Sequence, residues 1–520
     1  MEELLMLTDS SRWLAAWARR HPDHPAIVYV DDDGREETVT YAELDARATA
    51  FAQFLAHQGV SRGDRVACLM TNRIEFMVTF FGVHRAGAAF VSINTFVTPR
   101  EMSWMLGNTE PAAVVSERHF SDVIASVRPD VSVARWVGID GPLFEGSLNA
   151  SVLPGFSEEV ELPNVGPEDM ALINFTSGTT GVPKGVVLTH SNLEHLAYTM
   201  TFTWNLGHTD KGIVPFPLCF TGALVSITYP WLSQGLTVVL TKSFDAEMYV
   251  RLIERFEVTI APGVPTAWNM IRTTFGDRVS ALKSLRFVAI GGAPVSESML
   301  GWLQDNGITA MQGYGLTEAG GFNIQPDGVE GINSRPSSVG KPTIGVEAMI
   351  AGPDLEPLGP GQQGEIVLRG PLIMKEYWRN PEATAATIER GWLHTGDIGY
   401  VDEDGYYYVV DRQKDVIISG GLNVYPAEVE SVLDRLDGIA EVCVIGLPDP
   451  KWGERVTAVV VRDPGASVTA EQLTAHCTVA LGSYKRPRQI EFVDSIPKST
   501  SGKYLRRKLR EALASAASEQ

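Results

Sequence analysis

The sequence is short of several things, and each shortage removes a class of function. Four cysteines, Cys68, Cys219, Cys443 and Cys477, are scattered along 520 residues with no C-x-x-C spacing. That pattern excludes a disulfide frame and a thiolate metal site, and implies reduced, buried thiols in a cytoplasmic protein. No apolar run reaches the ~18 residues that a membrane span needs. The start, Met1-Glu2-Glu3, lacks the basic stretch of a secretory signal, and none is expected. Positive charge is scarce too. Lys and Arg number 43 against 63 Asp and Glu, a net charge of −20. Nucleic acid calls for a basic face, so that class of partner is excluded. The acidic balance is that of a soluble protein, and it still allows a local cluster to hold a phosphate. There is no internal repeat and no low-complexity stretch before the Ala/Ser-rich last residues.

What is present points to a layered enzyme. The length exceeds one ordinary core, so at least two domains are expected. Thr40-Tyr41-Ala42-Glu43 reads as a capping box. It opens a helix with Leu44, Ala48, Phe51 and Leu55 on one face and Gly59 at its end. Arg65 to Met70 reads as a strand, Arg73 to Arg85 as a helix, and Ala88 to Ile93 and Ala112 to Ser116 as strands. Alternation of this kind builds a layered α/β domain. Further strands are expected at Ala171 to Asn174, Val186 to Leu188, Val258 to Ile260 and Leu285 to Ile290. Ser191-x-x-Glu194 is expected to cap the helix after the second of these. Beyond Asp411 the pattern shortens into a small α+β unit of about 100 residues. The expected division is 1–411, a hinge at 412–414, and 415–520.

Between the strands at Ala171 and Val186 runs Thr176-Ser177-Gly178-Thr179-Thr180-Gly181-Val182-Pro183-Lys184-Gly185. Glycines let backbone N–H groups crowd a ligand. The hydroxyls add donors and the lysine adds charge, which together make a phosphate cradle. It is not the G-x-x-x-x-G-K-[ST] loop, because Pro183 stands where the second glycine belongs. Gly313-Tyr314-Gly315 is not a dinucleotide fingerprint either, because Glu318 holds the third glycine position.

Five segments in order give this sequence a specific resemblance. They are the cradle, Tyr314-Gly315-Leu316-Thr317-Glu318, Thr395-Gly396-Asp397, Asp411-Arg412-Gln413-Lys414-Asp415, and Pro497-Lys498-Ser499-Thr500-Ser501-Gly502-Lys503. Together they resemble the adenylate-forming superfamily of acyl-CoA synthetases, luciferases and adenylation domains, over nearly the whole chain from about Tyr41. The fold class this implies is α/β: a large N-terminal domain with several β-sheets and packed helices, plus a small mobile α+β C-terminal domain.

The chemistry the resemblance implies has two halves. A carboxylate attacks the α-phosphate of ATP to give acyl-AMP and pyrophosphate. A thiol, that of CoA, then takes the acyl group and expels AMP. By the same resemblance Thr176, Ser177, Gly178, Thr179, Thr180 and Lys184 hold the β- and γ-phosphates. Glu318 ligates Mg²⁺, with Thr176 as a second candidate. Gly291, Gln312, Gly313, Tyr314 and Thr317 line the adenine and α-phosphate region. Asp397, assisted by Arg412, takes the ribose hydroxyls. Lys503 meets the α-phosphate and the attacking carboxylate. Lys414 stands at the hinge, and Ser419, Gly420 and Gly421 approach the thiol channel after the small domain turns. Lys485, Arg486 and Arg488 are either CoA-phosphate contacts or a solvated basic face.

The acid pocket departs from the family. Many relatives read Pro-Leu-Phe-His where this sequence has Pro217-Leu218-Cys219-Phe220, so an apolar wall replaces a polar group. Gly222 leaves space where aryl-acid ligases often carry a large residue. Pro217 to Ser226 contains no Asp or Glu, and an unpaired buried ammonium is costly, which disfavours amino acids. Trp204, Phe220, Gly222 and Ser226, with Ala319 to Phe322, are the candidate lining. The leading expectation is a ligase joining a fatty, aryl or alicyclic acid to CoA. Delivery to a carrier protein or an amine, a homodimer, and a nucleotide-binding regulator without catalysis remain alternatives.

Overall fold

The structure is a computed structural model that describes residues 10–150, 160–176, 183–276, 282–292, 295–326, 335–498 and 504–518. The capping box is formed: Thr40 accepts from the Glu43 N–H and the Glu43 carboxylate accepts from the Thr40 N–H, opening the helix Tyr41–His57. Leu44, Ala48, Phe51 and Leu55 are all buried on it. The helix Ile74–Arg85 packs against it and is apolar on nearly all sides, with ten of its residues buried. Such a helix belongs between layers. Gly82 makes the approach possible, since a Cβ there would stand 2.8 Å from Phe51 Cδ1.

Two large sheets flank this pair. One has seven strands in the order Ala310–Gln312, Phe287–Ile290, Ile260–Gly263, Lys211–Val214, Thr237–Thr241, Pro25–Val30, Glu36–Thr40. The other has eight: Glu376–Tyr377, Lys184–Thr189, Met170–Thr176, Ala89–Ser92, Arg65–Leu69, Ala113–Ser116, Arg135–Gly138, Leu148–Asn149. Both are parallel in their interiors. Their inner strands read as continuous apolar runs, as a sheet covered on both faces requires. An antiparallel sheet follows, built from Glu347–Ala351, Gly364–Arg369, Trp392–Val401, Ile388–Glu389 and Tyr407–Arg412. The last sheet takes every strand from Ile417–Ser419 onward, with the helices Pro426–Leu433 and Ala470–Ala480. Its own core gathers Ile417, Val429, Leu433, Val444, Val456 and Leu473.

Two local expectations move. The helix after the cradle is capped by Thr189 with Asn192, not by Ser191 with Glu194. Thr189 ends the strand Lys184–Thr189 directly, so the box forms before Ser191 is reached. The strand expected at Val258 begins at Ile260, because the Val258 N–H closes the preceding helix on the Ile253 carbonyl at 3.0 Å. All four cysteines are free and buried. Among the described residues no helix is long and apolar enough to cross a membrane.

A buried polar cluster ties these layers together. His84 Nε2 donates to the Ala171 carbonyl at 3.0 Å, so its Nδ1 is the acceptor for the Ser10 hydroxyl at 2.9 Å. The Ser10 hydroxyl also lies 2.9 Å from His190 Nδ1, and Phe80 packs edge-on to the His84 ring. Burial first, and then His190, lower the His84 pKa well below the ordinary 6.5. The folded state therefore keeps His84 neutral while the unfolded chain takes up a proton below about 6.5. Stability from this site is present above that pH and is lost as pH falls. Melting temperature should drop between pH 7 and 5, and His84→Gln should flatten that slope; an unchanged slope in the variant would assign the acid sensitivity elsewhere.

Candidate active site

The cradle is a hairpin. Met170–Thr176 and Lys184–Thr189 pair antiparallel, with Thr176 opposite Lys184. Ser177, Gly178, Thr179 and Thr180 lie outside the described residues. The strand Glu376–Tyr377 extends this hairpin on the Lys184 side, with Tyr377 opposite Val186.

Two parallel strands, Phe287–Ile290 and Ala310–Gln312, end side by side at Gly291 and Gly313. Ligands of α/β sheets settle at such carboxyl ends. The Gly313 N–H donates to the Ile290 carbonyl at 2.9 Å. A Cβ at Gly291 or Gly313 would meet the Phe322 ring at 2.6 or 2.5 Å, so both positions are small to seat that ring. Gln312 Oε1 is buried and accepts no hydrogen bond among the described residues. An unmade acceptor costs its full desolvation, so Gln312 is free to take a donor from a bound ligand.

Asp397 is the most firmly held acid of the site, and it is only 4% exposed. Its Oδ2 accepts from the Tyr314 hydroxyl at 2.7 Å and its Oδ1 faces Arg412 Nε at 3.1 Å. Arg412 arrives because it stands opposite Asp397 in the ladder between Trp392–Val401 and Tyr407–Arg412. Burial, and then the charge of Asp397, push the Tyr314 phenol well above its ordinary value, so it remains a donor. A carboxylate has about four lone-pair directions. Two are used here, which leaves capacity for a pair of ribose hydroxyls.

Glu318 sits in the short turn Thr317–Ala319 between two strands of a small sheet. Its Oε1 accepts from the Tyr377 hydroxyl at 2.9 Å, and its backbone carbonyl accepts from the Met374 N–H at 2.8 Å. Among the described residues no group of three or more His, Cys, Asp or Glu is placed to hold a metal ion. A single hard carboxylate beside a phosphate cradle nevertheless fits Mg²⁺, which keeps waters and takes substrate phosphates alongside one or two carboxylates.

The candidate acid pocket divides. Trp204 is 2% exposed, donates through Nε1 to Gln325 Oε1, and packs on Phe287 and Phe322. Ser226 is fully buried and donates to the Gly320 carbonyl at 3.2 Å. Both are interior side chains with satisfied polar atoms. Phe220 is half-buried, and Gly222 is exposed with nothing within 4 Å of the place a Cβ would take. Gly222 lies in the first turn of a helical stretch, Thr221 to Ser233, whose middle, Leu224–Thr228, is π-helical. Wide turns of this kind recur at functional sites. Asn174 of the cradle strand donates to the Thr221 hydroxyl at 2.9 Å, which links the phosphate end to the acid end.

Residues 14–378 match the model of the AMP-binding enzyme family, and residues 428–503 match that of the AMP-binding enzyme C-terminal domain. The chain belongs to the AMP-binding enzyme family. A feruloyl-CoA synthase of Amycolatopsis sp is 38% identical over 96% of this chain and 98% of its own. The long-chain-fatty-acid–CoA ligase FadD13 of Mycobacterium tuberculosis is 36% identical over 94% and 95%. The crystal structure of ATP-bound MatB from Rhodopseudomonas palustris superposes with a TM-score of 0.88 at 32% identity, covering 98% and 99%. The fold is that of the adenylate-forming enzymes, with a large N-terminal and a small C-terminal domain, and this AMP-binding enzyme is an AMP-forming acid–CoA ligase.

The remaining candidates of this AMP-binding enzyme form a second group in the last sheet. Ser419 is buried, and Gly420 and Gly421 make the turn to Leu422–Val424 with φ of 62° and 79°. The Gly420 N–H donates to the Trp452 carbonyl at 2.7 Å. Arg488 lies 3.8 Å over the Trp452 ring, with Lys451 5.0 Å from it. Lys485 is instead paired with Glu428 at 2.6 Å, and Arg486 donates to the Leu481 and Thr478 carbonyls. Lys414 is exposed in the turn Gln413–Asp415. Lys503 lies outside the described residues, between Lys498 and Tyr504, which bridge antiparallel. Tyr377 is the site residue that sequence reasoning missed, and no local motif announces it.

Proposed function

We propose that this ligase activates a bulky apolar acid, aryl or long-chain, with ATP and Mg²⁺ and passes the acyl group to CoA. The observation that carries the substrate class is Gly222, which opens onto free space beside Phe220. No acidic side chain between Pro217 and Ser226 is present to pair an ammonium. In adenylation the substrate carboxylate oxygen bonds to the α-phosphorus, the bond to the bridging β-oxygen breaks, and pyrophosphate leaves. Lys184 and the hydroxyls from Thr176 to Thr180 hold the departing phosphates. Gln312 and Asp397 fix adenine and ribose, and Lys503 meets charge at the α-phosphate. Preorganised donors of this kind are the main source of rate in such a step. Glu318, with Thr176 as second candidate, would hold Mg²⁺, which would supply neutralisation of phosphate charge.

In the second step the CoA sulfur attacks the acyl carbon and AMP leaves. We place the domain boundary at 411, with 412–414 as the hinge and Lys414 as the hinge residue. Trp452 with Arg488 and Lys451 forms an aromatic and cationic surface beside Gly420, suited to a nucleotide-bearing thiol. The four buried free thiols suit a cytoplasmic setting. A panel of carboxylic acids scored by pyrophosphate release, with CoA present and absent, tests the reading. Turnover that ignores CoA would favour a carrier-protein thiol or an amine as acceptor. Gly222→Trp should shift preference toward shorter acids by about 10-fold in kcat/KM, the scale of a filled hydrophobic subsite. Phe220→His should shift it toward polar acids. An unchanged profile in both variants would remove this pocket from the substrate path.

A further inference from the structure

One side chain touches both phosphate-handling groups and belongs to neither motif. Tyr377 is 5% exposed. Its hydroxyl donates to Glu318 Oε1 at 2.9 Å, while its ring lies 4.8 Å under the Lys184 ammonium. A cation within about 6 Å of a ring centroid is held by the ring's quadrupole. The side chain is fixed by its backbone. The Lys375 N–H donates to the Val187 carbonyl at 2.9 Å and the Trp378 N–H to the Gly185 carbonyl at 2.7 Å. The Met374 N–H takes the carbonyl of Glu318 itself. The segment Met374 to Trp378 thus stitches the turn bearing Glu318 to the hairpin bearing Lys184.

Resting on the reading of Glu318 and Lys184 given above, we propose that Tyr377 is a positioning residue for Mg·ATP. Its hydroxyl aims one carboxylate oxygen of Glu318 and its ring seats the Lys184 ammonium, so that metal ligand and phosphate cation keep one spacing. The two halves of Tyr377 have separate jobs and separate variants. Tyr377→Phe keeps the ring and loses the hydroxyl; Tyr377→Leu loses both.

The experiment is calorimetric binding of ATP to the full chain, with Mg²⁺ and in EDTA, backed by the Mg²⁺ concentration giving half-maximal pyrophosphate exchange. Tyr377→Phe should weaken binding of Mg·ATP by about 10-fold, the scale of one hydrogen bond to a charged group. It should leave metal-free ATP binding within about twofold. Tyr377→Leu should weaken both. Glu318→Gln and Lys184→Ala serve as references for metal and phosphate. If Glu318→Gln leaves the Mg²⁺ dependence intact, the reading of the site fails and the inference with it. If both references behave as assigned and Tyr377→Phe binds Mg·ATP like the wild type, or loses both forms equally, Tyr377 is not a positioning residue.

Discussion

Lys503→Ala is expected to slow acid-dependent ATP–pyrophosphate exchange by about 10²- to 10³-fold, the scale of losing one preorganised charge at a transition state. Transfer from preformed acyl-AMP to CoA should stay within about twofold of wild type. The asymmetry follows from where charge moves. In the first step a carboxylate and a triphosphate, both anionic, must share one phosphorus, and a fixed ammonium offsets that repulsion. In the second step the acyl-AMP, whose phosphate carries a single negative charge, is attacked at its acyl carbon and not at phosphorus, and AMP is the leaving group. Lys498 provides the control, because its ammonium is already paired with Glu441 at 2.7 Å. Lys498→Ala should therefore not separate the two half-reactions. Equal loss of both steps in Lys503→Ala would overturn the role.

Asp397→Asn is expected to raise the KM for ATP by about 10- to 100-fold, because charge-assisted hydrogen bonds contribute about 1.5–3 kcal/mol. The substitution keeps the shape but turns one acceptor into a donor. That donor would face either the Tyr314 hydroxyl, which now donates to Asp397, or the Arg412 guanidinium, which is now paired with it. The ribose would lose its acceptor at the same time. The decisive comparison is ATP against its 2′,3′-dideoxy analogue. Wild type should prefer ATP by at least about 10-fold on the same hydrogen-bond scale, and Asp397→Asn should lose most of that preference. A variant that still discriminates as wild type would place the ribose elsewhere.

Much of this site was legible because its signals are local. The capping box at Thr40 and Glu43 needs four consecutive residues, and it forms as expected. The cradle as a loop between strands followed from two short apolar runs, and the hairpin is there. Where two local solutions competed, sequence alone did not decide. Thr189 with Asn192 and Ser191 with Glu194 are both capping pairs, and the chain uses the one that meets the end of the strand first. Tyr377 was not legible for a different reason. Its partner Glu318 is 59 residues away, and only the strand added beside Lys184–Thr189 brings them together. The acid pocket shows the same limit, since Trp204 and Ser226 are as plausible by type as Gly222. What separates them is satisfaction of their polar atoms, which is a tertiary property.

With the proposed hinge at Lys414, the register between Trp392–Val401 and Tyr407–Arg412 would set the order in which the products leave. Asp397 and Arg412 face each other in one antiparallel ladder, and the turn bearing Lys414 begins just past it. A rotation at the proposed hinge, Lys414, would therefore carry off whatever lies beyond and leave the proposed ribose seat intact. On the proposed roles, AMP would stay behind through the second half-reaction, in the same seat that the next ATP must take. Vacating it is a separate event, and AMP should inhibit by competing with ATP rather than with CoA.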